Sequence, residues 1–133
     1  MSAGSDPAAD GVTISSPDIA AIAVEVWRVR QAIDQQEHLG RGIPGVAALR
    51  FAVRSIERVL TNVGIETVDF HGHPYEPGMC VQVEQMIERP GGAGAMEAEV
   101  AETLEPTVLL KGAVILPGRV VVASAVREEP PDA

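Results

Sequence analysis

The chain has 133 residues, a formal net charge of −9, 46% apolar but only 3% aromatic side chains, and one cysteine. That size suits one ordinary domain or two small modules. The acidic balance speaks against nucleic acid, whose phosphates demand a basic face, and against anionic membrane surfaces. No apolar run approaches the roughly 18–20 residues of a membrane span, Met1–Ser16 lacks the basic start and apolar block of a secretory signal, and Cys80 alone cannot close an internal disulfide.

A cytoplasmic protein is the expectation. A core built from Val, Ile, Leu and Ala buries modest area per side chain, so such a chain gains from burying surface against a second copy.

In chain order, residues 1–16 are small and polar and read as a disordered tail. Ser16 is a good N-cap, with Pro17 at the first helical position and Asp18 near the positive end of the dipole. From there Ile19, Ile22, Val26, Val29 and Ile33 alternate spacings of three and four, a heptad seam. The helix should end near Leu39-Gly40, and a loop through Gly45 leads to a second helix from about Val46 to Val63. Leu49, Val53, Ile56, Leu60 and Val63 repeat the alternation, and Gly64 is placed to cap the end. A loop this short implies antiparallel helices over 17–64, and pairing two such hairpins gives a dimeric four-helix bundle. The alternative is that both seams pack on the second half of the same chain.

After Gly64 the period drops to two. Cys80–Ile87, Glu97–Leu104, Val108–Leu110, Ala113–Leu116 and Arg119–Val126 read as strands, with Lys111-Gly112 as a tight turn and Pro90–Gly94 as a mobile hairpin loop. The class is α+β: a helical module, then a small antiparallel β-domain over 65–126, then a disordered tail over 127–133.

Few residues are of a type that carries chemistry. His71, His73, Glu76 and Cys80 allow a zinc or copper site to be drawn, but a closed zinc site wants a second close ligand pair and the segment is a turn rich in Pro and Gly. Cys80 as a nucleophile would need His71 or His73 as its base; as a packing residue it needs nothing. Glu97, Glu99, Glu102 and Glu105 alternate with Ala and Val as a solvated strand face does. Neither Pro90–Gly94 nor Gly40-Arg41-Gly42 has the context of a phosphate or dinucleotide loop. The reading is a protein that binds and does not catalyse, with no cofactor and no metal.

Three segments carry a family likeness. Val59-Leu60-Thr61-Asn62-Val63-Gly64-Ile65-Glu66, Pro74-Tyr75-Glu76-Pro77, and Leu104 through Val122 with its Leu116-Pro117-Gly118 and alternating valines, resemble in this order the GrpE nucleotide exchange factors. The likeness covers roughly Asp18 to Ala123. It implies a homodimer held by a four-helix bundle and a β-domain that docks on the nucleotide-binding domain of a DnaK-type chaperone and promotes ADP release, a role in protein folding and the stress response. It places the partner surface at Leu116, Pro117, Arg119 and Val121, with Met79 and Pro77 nearby.

The chain departs from the family in lacking a long helical stalk before the bundle. It has Cys80 where a histidine is usual, Thr107-Val108 for Gly-Tyr, Leu116 for an arginine of the chaperone-facing surface, and Ala48 for a glycine. Two other readings stand beside it: a carrier or ligand-binding β-module with Lys111 as the modified hairpin lysine, and an adaptor that keeps the fold without exchange activity.

Overall fold

The computed structural model describes residues 11–90 and 97–126. Residues 1–10 of the predicted tail over 1–16, the predicted tail over 127–133 and most of the predicted glycine-rich loop after Pro90 lie outside them. Two helices precede six strands: α1 (Ser16–His38), α2 (Val46–Asn62), β1 (Ile65–Val68), β2 (Val81–Pro90), β3 (Ala98–Glu105), β4 (Thr107–Leu110), β5 (Ala113–Leu116) and β6 (Gly118–Val126). The protein is α+β, with two small sheets.

Local chemistry sets the helix ends. Ser15, one residue before the predicted cap, accepts a hydrogen bond from the Asp18 amide at 3.3 Å. Gly40 (φ +73°) follows the end of α1 and Gly64 (φ +90°) the end of α2, both in the left-handed region that glycine occupies without penalty. Gly64 also lies under the Lys111 side chain, and its carbonyl accepts the Lys111 amide at 2.7 Å.

The first sheet has the order β1-β4-β5 and is antiparallel throughout. β4 and β5 form the expected hairpin, with Lys111 (φ 49°) and Gly112 (φ 84°) in its two-residue turn. The second sheet has the order β2-β6-β3 and corrects the expectation of a purely antiparallel domain: β2 runs parallel to β6, and β3 antiparallel to it. β2 and β3 are therefore not partners across a hairpin, because β6 lies between them. Val120, Val122 and Ala123 of β6 are almost completely buried, and a strand that apolar belongs at the centre of a sheet.

The apolar residues form two clusters. One holds Ala20, Ala23, Val24, Val26 and Ile33 of α1, Val53 and Leu60 of α2, and Ile65 and Val108 of the first sheet. The other holds Val100, Val120 and Val122 of the second sheet, covered by Phe70, Tyr75 and Met79. The first sheet thus shares its core with the helices.

Across the helices Arg30 pairs with Glu57 at 2.9 Å, and Arg50 with Asp34 at 2.9 Å and Glu37 at 2.6 Å. Later positions of α1 therefore meet earlier positions of α2.

The heptad seams divide. Val26, Ile33, Val53 and Leu60 are buried within the chain and Ile19 packs against them. Ile22 (43% exposed), Val29 (46%), Leu49 (42%) and Ile56 (43%) face outward together with Val59 (61%) and Val63 (44%). One part of each seam is buried in the cluster that the helices share with the first sheet, and the other part is open.

Candidate functional site

β6 positions the residues most able to meet a partner. Residues 119, 121, 123 and 125 share one face of the second sheet, opposite the apolar cluster formed on Val120 and Val122. On β3 Glu99 stands opposite Ala123, Glu102 opposite Val121 and Glu105 opposite Arg119. A spacing of three would ordinarily turn successive side chains to opposite faces. A bulge between Val100 and Glu102 and another between Thr103 and Glu105 absorb the extra residues, so all three carboxylates lie on the Arg119 face. β2 carries its own irregularity between Val83 and Gln85, and Glu84 there reaches Arg119.

Arg119 is the centre of a chain of charges. Its Nε donates to Glu84 Oε1 at 2.7 Å, and its Nη1 lies 3.7 Å from Glu105 Oε1. Glu105 in turn accepts from Arg28 Nη2 of α1 at 2.8 Å, and Arg28 pairs with Glu25. Further along the same face Arg89 Nη1 donates to Glu99 at 3.1 Å. Carboxylates exceed arginines on this face, so the surface it complements is basic.

The hydrogen bond from Arg119, aided by its charge and opposed by some desolvation, holds the Glu84 carboxyl below the usual carboxylate range; the same pair raises Arg119. A carboxylate depressed in the folded state stabilises that state fully above its unfolded pKa, and the contribution is lost as pH falls through the folded value. Glu84→Gln is therefore expected to flatten the acid limb of stability, seen as a urea midpoint that changes less between neutral and acid pH than that of the unaltered chain. An identical pH profile would count against the pair.

The other predicted partner residues sit around this centre in different states of burial. Pro117 and Pro77 are exposed. Val121 is 8% exposed on the charged face, Leu116 packs against the helix cluster, and Met79 packs under the second sheet, where its sulfur accepts the Glu76 amide at 3.1 Å. The segments around Met79 and Pro117 do meet: the Gly118 amide and the Thr107 hydroxyl both donate to the Cys80 carbonyl, at 3.1 and 2.7 Å.

Residues 72–75 run along the outer edge of β3, with Gly72 and Tyr75 donating to Val100 and Ala98 and the Val100 amide donating to His73. His71 and His73 thus belong to a loop that covers a sheet edge, and the His73 ring stands edge-on to Phe70 at 6.1 Å. Among the described residues no three His, Cys, Asp or Glu converge as metal ligands. Cys80 is exposed.

Glu84, Glu105 and Arg28 did not figure among the predicted site residues. Register would have found the two glutamates; nothing in the sequence relates Arg28 to a strand 77 residues away.

The structure is an α+β protein with a charged sheet face and an open apolar helix stripe. No protein-family model matches the chain, and no curated protein matches it. Among the described residues no helix is long and apolar enough to cross a membrane.

Proposed function

We propose that the chain is a short GrpE-like co-chaperone: a homodimer joined through its helical hairpins whose second sheet docks on the nucleotide-binding domain of a DnaK-type chaperone and promotes ADP release. The observation that carries the reading is the open stripe Ile22, Val29, Leu49, Ile56, Val59 and Val63, beside seam residues already buried in the cluster shared with the first sheet. Such a stripe calls for a second set of helices. The likeness around Gly64, Pro74–Pro77 and Leu104–Val122 supplies the class of partner.

Docking moves the chaperone only as far as this protein prefers the open nucleotide cleft over the closed one, and by reciprocity ADP weakens the complex by the same factor. The test is stopped-flow release of a fluorescent ADP analogue from a DnaK-type chaperone of the same cell. Acceleration that saturates with concentration supports exchange; a folded dimer that accelerates none of them leaves the adaptor reading in its place.

Arg119→Glu is expected to weaken the complex about tenfold while leaving the dimer intact, because it reverses a cation that joins β2, β6 and β3. Unchanged affinity by titration calorimetry would remove Arg119 from the interface. An intact mass carrying an adduct on Lys111 would favour the carrier instead.

A further inference from the structure

β1 is an edge strand, and its open edge faces a recess. Among the described residues β1 pairs only with β4, in the order β1-β4-β5. The Lys111 amide donates to the Gly64 carbonyl, which fixes the phase of the ladder. Gly64, Glu66 and Val68 turn their backbone groups toward β4, so Ile65 and Thr67 turn theirs away from it.

On that side lies a cleft of about 340 Å³ bounded by both helices. Its apolar lining comes from Ala23, Val26 and Leu60, with Trp27 and the paired Arg30 and Glu57 beside them, and its strand side from Ile65 to Thr67. Trp27, Arg30 and Glu57 stand roughly a quarter turn or more around their helices from the exposed stripe, whereas Val26 and Leu60 adjoin it.

We infer that this cleft takes an extended peptide segment, which adds to β1 as a further strand. Three observations select that occupant. Thr67 is exposed and turns its amide and carbonyl away from β4 as an incoming extended backbone requires, and Ile65, two residues before it, is 3% exposed and reached only from the cleft. The recess beside them is lined by apolar side chains at one strand position, which suits one apolar side chain of the incoming segment. Arg30 is neutralised by Glu57, whereas Glu66 is exposed and has no ion pair among the described residues, so the local excess charge is negative and favours a basic residue next to the apolar one. The recognition is independent of the chaperone-docking reading, which uses the other sheet.

The single tryptophan, Trp27, lines the cleft and reports occupancy. The probe is the capped peptide acetyl-Lys-Val-Thr-Val-Lys-amide, titrated into the full chain while Trp27 emission is followed. A saturable shift in emission is expected. The same peptide N-methylated at alternate residues loses its donors toward β1 and should produce no shift, and its acidic counterpart with Glu for Lys should bind more weakly at low salt.

Thr67→Pro removes the outward amide without touching the β4 ladder, since proline is tolerated where an edge N–H faces away from its neighbour. It should raise the Kd about tenfold with the circular dichroism spectrum retained. No shift with the unmodified peptide, or equal binding of the N-methylated one, would overturn strand addition whatever becomes of the variant.

Discussion

Gly118→Ala is expected to destabilise the fold by about 2–3 kcal/mol, the cost of forcing an extra carbon into a packed site. A Cβ at this position would stand 2.8 Å from Thr107 Oγ1, 2.9 Å from the Thr107 amide nitrogen and 3.0 Å from the Glu105 carbonyl oxygen. Two of those atoms are backbone and the third belongs to a side chain held at both ends. Thr107, 2% exposed, donates through its hydroxyl to the Cys80 carbonyl and accepts from the Gly118 amide at 3.1 Å.

Thr107 opens β4 in the first sheet, Gly118 opens β6 in the second, and Cys80 immediately precedes β2. The three residues therefore stitch one sheet to the other, and no neighbour can yield without opening a buried hydrogen bond. At an ordinary dependence on urea the midpoint should fall by roughly 1–2 M. Gly42→Ala is the matched control: nothing lies within 4 Å of its added carbon, and its midpoint should barely move. Equal midpoints for the two variants would mean that the junction around Thr107 is slack.

The junction also bears on the surface beside it. Arg119 follows Gly118, and its reach to Glu84 and Glu105 depends on where β6 begins relative to β2 and β3. A shift at Gly118 displaces the centre of the charged face even if the sheets survive. A partner that reads this face would then lose affinity in Gly118→Ala beyond what the stability change explains.

Much of the fold is legible locally. Gly40, Gly64 and Lys111-Gly112 mark two helix ends and a hairpin because each needs a positive φ that few other residues adopt cheaply. The seams of both helices are visible in their spacing. The partner of each seam is not, since spacing defines an apolar stripe and says nothing of what covers it; here Val26, Ile33, Val53 and Leu60 enter the cluster that the two helices share with the first sheet, and Ile22, Val29, Leu49 and Ile56 stay open.

Ile65–Val68 escaped notice as a strand because four residues offer only two alternations, too few to set a period. Strand order escaped because pairing is a long-range choice, made here by the burial of Val120 and Val122. At the site, Arg119 stood out as a charge among valines. Its three-way pairing depends on bulges in both neighbouring strands, and a bulge is invisible until the register is known.

Ile56→Glu is expected to turn the proposed dimer into a folded monomer. Leu49 and Ile56 of α2 and its C-cap Val63 recur at sevens, with Val59 between the last two and Ile22 and Val29 on α1, so Ile56 stands at the middle of the open stripe. In a two-fold assembly the substitution enters twice, once from each copy. Burying an unpaired carboxylate costs several kcal/mol, which corresponds to a loss of at least about a hundredfold in dimer affinity.

The same charge is harmless to the isolated chain, because Ile56 is 43% exposed there and the internal core rests on Val53 and Leu60. Val53→Glu makes the contrast: it places a charge in the cluster shared with the first sheet and should unfold the chain itself. Sedimentation equilibrium separates the cases, with Ile56→Glu at the mass of one chain and native helical signal, and Val53→Glu with that signal lost. A wild-type chain that sediments as a monomer at every accessible concentration would overturn the dimer, and the stripe would then have to meet a different protein.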